Sequence, residues 1–283
     1  MPQKDRTLHN NMRRRLQGAG LKAKKGLGQN FLVDDNIRDT IIDAACISSS
    51  DTIVEVGPGM GVLTEKLADL ARRVVAVELD DNLAERLTRK LSRFNNLQIV
   101  HDDILQVDIK KVLGPETPYK VVANIPYYIT SPILRYFSRN EVKPSLMIIM
   151  MQDEVAADIT AKPGHMTFLS VSMQLFSLPE IVCKVPAASF YPSPKVDSAV
   201  VKFTMLDTPA VPVENIEDFL QLVHAGFAAP RKQMRNSLAV GLKLETQAAV
   251  VLLEKSGIDP QRRPGALTIE EWWGLYRNSG VGN

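Results

Sequence analysis

Residues 51–80 read DTIVEVGPGMGVLTEKLADLARRVVAVELD, and their periodicity decides the fold. DTIVEV (51–56) is a short, almost continuously apolar run, as expected of a strand covered on both faces. A glycine-rich turn follows, and then Leu63, Leu67 and Leu70 recur at helical spacing. RVVAVEL (73–79) is a second apolar run of the same kind. Strand, helix and strand within 30 residues predict a parallel pair joined by a crossover helix.

The pattern continues outward. Upstream, Ile37, Ile41 and Ala45 share a helical face behind the capping candidates Asp34 and Asp35. Downstream, Leu83, Leu87 and Leu91 mark the next helix, and LQIVH (97–101), YKVVAN (119–124) and SLMIIMM (145–151) add three strands. Ile133, Leu134 and Phe137 mark a helix between the last two. The fold class is therefore α/β, a Rossmann-like sheet. EIVCKVP (180–186) and VDSAVVKFTML (196–206) have no helix between them and predict an antiparallel addition. After DTPAVPVEN (207–215) the pattern is purely helical: Phe219, Leu222, Val223 and Phe227 share a face, and Gly257 ends a helix near 246–256. Thr268 with Glu271 forms a capping box ahead of Trp272, Trp273 and Tyr276. The expected organisation is a basic arm (1–30), an α/β domain (31–206) and a small all-helical domain (207–283).

Composition narrows the class. In 283 residues, 45% are hydrophobic and 23% charged, which excludes disordered, collagen-like and coiled-coil chains. No apolar run nears the roughly 18 residues that span a bilayer, and MPQKDRTLHNNMRRR (1–15) has no apolar signal core. Cys46 and Cys183 make neither a disulfide framework nor a zinc set, and both read as core thiols. A cytoplasmic protein is expected. The net charge of +2 conceals an asymmetry: residues 1–30 carry eight Lys/Arg against Asp5 alone, leaving −5 for the remainder. A basic arm on a mildly acidic body suits a polyanionic partner.

Glu55-Val56-Gly57-Pro58-Gly59-Met60-Gly61 joins the first strand to its helix. Glycines there let a ligand approach the backbone and open a helix N-terminus towards it. Glu78 ends the next strand, 21 residues after Gly57, where a carboxylate can accept both ribose hydroxyls. These features fit a dinucleotide enzyme and a methyltransferase alike. The spacing G-x-G-x-G, rather than G-x-G-x-x-G, and the acidic pair Asp102-Asp103 after the third strand favour the second. A carboxylate there can accept from an adenine amino group. With Asn124 after the fourth strand, successive strand ends offer glycine, Glu, Asp and Asn. That set suits S-adenosylmethionine, whose cationic sulfur needs no phosphate cradle.

Asn124-Ile125-Pro126-Tyr127 follows that fourth strand, beside the topological switch of such sheets. An exocyclic base amine is a poor nucleophile because its lone pair is delocalised. An Asn oxygen and a backbone carbonyl facing its two hydrogens favour a pyramidal nitrogen, Pro126 stiffens the preceding backbone, and Tyr127 can stack on the base.

Together with these motifs, Gly26-Leu27-Gly28-Gln29-Asn30-Phe31-Leu32, Phe190-Tyr191-Pro192-Ser193-Pro194-Lys195-Val196-Asp197-Ser198, residues 231–238 (RKQMRNSL) and residues 257–263 (GIDPQRR) resemble the rRNA adenine N6-dimethyltransferases over about residues 24–277. The resemblance implies the class I methyltransferase form of the sheet. Within the family the chain looks most like the KsgA type, which dimethylates two adjacent adenosines near the 3′ end of small-subunit rRNA during ribosome assembly. The related Erm methylases act on large-subunit rRNA. By position, the resemblance implies that Asn30, Leu32, Gly57, Gly59, Glu78, Asp103 and Asn124 bind S-adenosylmethionine. It implies that Asn124, Pro126, Tyr127 and Phe190 form the catalytic site that holds a flipped adenine.

Three positions depart from the KsgA pattern: Ile125 stands for leucine, as is common in Erm, Tyr128 stands where asparagine often follows, and 164–168 (GHMTF) lacks a Tyr-Gly pair. Arg231, Lys232 and Arg235, expected within one helical turn, are RNA-phosphate candidates along with Lys24 and Lys25. The Trp pair reads as core, and the four histidines show no ligand spacing, so no metal is expected. The expected protein is a monomeric rRNA dimethyltransferase working on immature small subunits. The alternatives are an Erm-type large-subunit methylase and a non-catalytic assembly factor.

Overall fold

A computed structural model describes residues 3–114 and 117–281, without the side chains of residues 3–6 and 25. The chain forms two units. One takes the residues up to Ala156 together with Glu180–Met205, and the other takes Ala157–Pro179 and the residues from Leu206 onward.

The first unit opens with α1 (Gln3–Gly18), β1 (Phe31–Leu32) and α2 (Asp35–Ala44). Alternation then runs through β2 (Thr52–Val56), α3 (Val62–Leu70), β3 (Arg73–Glu78), α4 (Asp81–Lys90), β4 (Leu97–His101), α5 (Ile109–Leu113), β5 (Lys120–Asn124), α6 (Thr130–Arg139) and β6 (Leu146–Gln152). There follow α7 (Asp153–Ile159), α8 (Phe168–Gln174), β7 (Ser177–Val185), β8 (Phe190–Tyr191) and β9 (Ser198–Met205). The sheet order is β4-β3-β2-β5-β6-β9-β7. The first five strands are parallel, and β9 adds antiparallel to β6. The expected antiparallel addition is thus present.

Every residue of β2 is buried, as are the interiors of β3, β5 and β6, because helices cover both faces. Ile41 of α2, Leu63 and Leu67 of α3, and Ile53, Val74 and Val122 of the sheet belong to one apolar cluster. Burying each such side chain stabilises by about 1.5–3 kcal/mol. Order reverses between β2 and β5, so the crevice for a ligand opens at the carboxyl ends of those strands.

Two findings revise the sequence reading. The basic arm is in part a packed helix: α1 carries buried Met12 and Leu16, which pack with Phe31, Met60 and Leu83. Leu8, Met12 and Leu16 recur every four residues, an apolar stripe that the charges obscured. Cys46 is no core thiol either. It lies beyond α2, exposed and with φ of 44°, while Cys183 is half-buried in β7.

The second unit contains α8 with α9 (Ile216–Gly226), α10 (Met234–Leu242), α11 (Thr246–Lys255) and α12 (Ile269–Ser279). Thr268 and Glu271 form the expected capping box. Trp272 is fully buried and stacks on Phe227 with ring centroids 5.4 Å apart. The segment at 164–168 belongs to this unit, where the Gly164 and Met166 amides both donate to the Gly265 carbonyl. Among the described residues, no helix is long and apolar enough to cross a membrane.

Candidate active site

Four strand ends converge on one cleft. It is lined by the glycine loop after β2, Glu78 at the end of β3, Asp102 and Asp103 after β4, and Asn124 to Tyr128 after β5. The segment Leu27–Leu32 and Phe190 close further walls. Every residue expected from the sequence at the donor and catalytic positions lines this cleft.

Glu78 is held by the backbone: the Gly59 amide donates to Oε2 and the Asp80 amide to Oε1, each at 3.0 Å. A carboxylate has about four acceptor sites, so Glu78 keeps acceptor capacity for a ligand's adjacent hydroxyls. Burial pushes the Glu78 carboxyl up, and the two amides pull the other way. Gly59 has φ of 57°, and a Cβ there would lie 3.3 Å from the Phe31 ring. Only glycine adopts this turn without strain while bringing its N–H to Glu78.

Glu55 is a member of the site that the sequence reading did not single out. It is 1% exposed, lines the cleft, and its Oε2 has no hydrogen-bond partner. Burial, reinforced by the Glu78 charge, pushes its carboxyl up to about 8. A lone carboxylate inside the apolar run TIVEV (52–56) was the available signal.

At the other wall, Asn124 Nδ2 donates to the Asn30 carbonyl at 3.5 Å. That contact leaves Oδ1 as the acceptor for a ligand. The Tyr127 hydroxyl sits 2.7 Å from Ser198 Oγ, and burial raises its pKa, so the phenol stays protonated at neutral pH. Asp103 uses Oδ1 to accept the Leu105 amide. Phe190 comes into place through the β1–β8 ribbon, in which Leu32 pairs with Phe190 and Phe31 with Tyr191.

The cations are arranged differently from expectation. Lys232 lies in the turn before α10, whose N-cap is Gln233, so Lys232 and Arg235 do not share a helical turn. Pro230 and the turn that ends α9 separate them from the preceding helix. Arg231 and Lys232 are exposed and Arg235 is half-buried. Lys24 is paired within the first unit, with Nζ 2.9 Å from Asp80 Oδ2. The Lys25 side chain lies outside the described residues. No group of three or more His, Cys, Asp or Glu suited to a metal occurs among the described residues.

A parallel sheet with this strand order, a glycine turn after the first strand and a carboxylate closing the second define a class I methyltransferase fold. The chain belongs to the ribosomal RNA adenine dimethylase family, whose model matches residues 20–277. It is 45% identical over 257 residues to "Ribosomal RNA small subunit methyltransferase A" of Dehalococcoides mccartyi strain 195, covering 91% of this chain and 88% of that one. The protein of the same name from Enterococcus faecalis is 42% identical, covering 91% and 90%. Among solved structures, a dimethyladenosine transferase from Plasmodium falciparum superposes with a TM-score of 0.75 at 25% identity, covering 89% and 98%. The 23S rRNA methyltransferase ErmE superposes at 0.70 with 29% identity, covering 88% and 99%.

Proposed function

We propose that the protein transfers methyl groups from S-adenosylmethionine to the N6 amines of two adjacent adenosines near the 3′ end of small-subunit rRNA, forming N6,N6-dimethyladenosine during ribosome assembly. One observation carries the reading. Glu78, Asp103 and the Asn124–Tyr127 motif, which come from three different strand ends, line the same cleft. The name shared by two relatives at 45% and 42% identity supports the small-subunit substrate.

The cleft fits the donor. Glu78 keeps acceptor capacity for the ribose hydroxyls, Asp103 suits the adenine amino group, and Gly57 and Gly59 let the rest lie against backbone. When bound, the donor supplies a methyl group on a sulfonium that departs as a neutral thioether. That leaving group calls for no Lewis acid, so the reading needs no metal.

The chain's own groups then orient the acceptor. Asn124 Oδ1 and a backbone carbonyl beside Pro126 accept from the N6 hydrogens, drawing the nitrogen towards a pyramidal shape. Tyr127 and Phe190 hold the flipped base. Phe190 is 1% exposed, so a base reaching it must displace the groups that cover it. The Tyr127 phenol is no base at neutral pH, and none is needed, because nitrogen becomes strongly acidic once methylated. Rigid placement is the main contribution. Arg231, Lys232 and Arg235 of the helical unit take RNA phosphates.

Ile125 and the ErmE likeness favour a second reading, a large-subunit methylase. The test is methyl transfer from labelled S-adenosylmethionine to unmodified small-subunit particles and, in parallel, to protein-free large-subunit rRNA. Dimethyladenosine in the small particle is the expected result. Label only in the large-subunit RNA establishes the second reading, and label in neither leaves an assembly factor without catalysis.

A further inference from the structure

Lys24, Gln29 and Asp80 form a closed network beside the cleft. Gln29 Nε2 donates to Asp80 Oδ2 at 2.9 Å, Lys24 Nζ meets the same oxygen at 2.9 Å, and the Lys24 amide donates to Gln29 Oε1 at 2.8 Å. The Asp80 side chain is 3% exposed and that of Lys24 44%. With its other oxygen, Asp80 caps α4 at the Asn82 and Leu83 amides. Its own amide donates to Glu78 Oε1. Asp80 therefore holds two things at once: the Glu78 carboxylate, through its amide, and the 24–30 segment, through Lys24 and Gln29.

That segment reaches across to the reactive motif. Gly28, with φ of 60°, lies so close that a Cβ would come within 3.2 Å of Pro126 and 3.5 Å of the Tyr128 ring. Leu27 to Asn30 line the cleft. The segment is a strap, tied to the β3–α4 turn through both Lys24 and Gln29, with Gly28 between them seated against Pro126 and Tyr128.

We propose that Lys24, Gln29 and Asp80 are positioning residues for the methyl donor, anchoring residues 24–30 as a strap over its cleft. Lys24 then governs donor affinity rather than RNA affinity. The inference rests on the reading of this cleft as the donor site.

The test compares Lys24→Ala, Lys24→Arg and Asp80→Asn, with Glu78→Gln alongside. Donor Kd is measured by calorimetry, and KM for donor and for small-subunit particles is measured with kcat at saturating donor. Lys24 is partly exposed, so the variant is expected to fold, and its thermal transition checks this. Lys24→Ala should raise donor Kd and donor KM about two- to tenfold, within the range of a charge-assisted bond near the surface. kcat and particle KM should stay unchanged. Lys24→Arg should restore most of the affinity, and Asp80→Asn should weaken donor binding in the same direction. Two results overturn the proposal: an unaltered donor Kd in Lys24→Ala while Glu78→Gln weakens it, or a raised particle KM with a shallower salt dependence, which assigns Lys24 to RNA. If Glu78→Gln also leaves donor Kd unaltered, the donor-site reading itself fails.

Discussion

The Tyr127 hydroxyl and Ser198 Oγ meet at 2.7 Å, joining the reactive motif after β5 to the first residue of β9. The bond fixes the Tyr127 ring, which is proposed to stack on the base. Tyr127→Ala should lower kcat by about 5- to 150-fold, corresponding to the 1–3 kcal/mol of a base–aromatic stack. Tyr127→Phe keeps the ring and loses only the hydrogen bond, so its kcat should fall less than tenfold. Steady-state turnover on small-subunit particles compares the two. Equal losses in both variants would mean that the hydroxyl, not the ring, is what matters.

Glu78→Gln should weaken donor binding about 10- to 100-fold, because hydrogen bonds to a charged acceptor contribute about 1.5–3 kcal/mol. RNA affinity should not move. Calorimetry with donor and filter binding with RNA separate the two effects.

The pH dependence of stability reports on Glu55. Its carboxyl is pushed from 4.5 to about 8 in the fold. Between those values the unfolded chain has released a proton that the folded chain retains, so stability falls as pH rises through this window. Glu55→Gln, which keeps the shape and removes the titration, should flatten the profile and be relatively more stable at pH 9 than at pH 5. Urea unfolding at the two pH values measures this, and a parallel profile in both proteins would show that Glu55 ionises normally.

Arg231→Ala and Lys232→Ala should raise KM for the particle and leave donor Kd unchanged. Each lost phosphate contact should reduce the slope of log affinity against log salt by somewhat under one. An unchanged slope would remove that residue from the RNA interface.

Much of the first unit was legible because β2, β3, β5 and β6 are apolar runs of five to seven residues separated by helical spacing, and local periodicity suffices to place them. That the glycine turn, Glu78, Asp103 and Asn124 line one cleft was legible for the same reason, since glycines and acids fall at strand ends. What escaped the sequence depends on distance along the chain. Lys24 was expected at RNA, and only the fold shows Asp80 beside it, 56 positions on. In α1, the arginines at 13–15 stand out from the charge pattern, whereas the packing of Met12 and Leu16 depends on Phe31, Met60 and Leu83 far along the chain. Residues 157–179 group with the helical unit although they precede β8 and β9, and no composition shift marks that excursion. Helical periodicity does not show that α2 ends at Ala44, two residues short of Cys46, which leaves that thiol exposed.

The two-residue ribbon of β1 and β8 has a consequence for how such chains can vary. Phe31 and Leu32 on one strand, and Tyr191 and Phe190 on the other, alternate between opposite faces. A deletion or insertion of a single residue just before Phe31 would turn both side chains of β1 over. Leu32 would leave the wall beside Phe190, and Phe31 would leave Met60 and the underside of α1. The loop before β1 is thus fixed in length as well as in the side chains that tie it to Asp80. The spacing here acts as a ruler, and changes at this edge should come as substitutions or as paired changes of two residues.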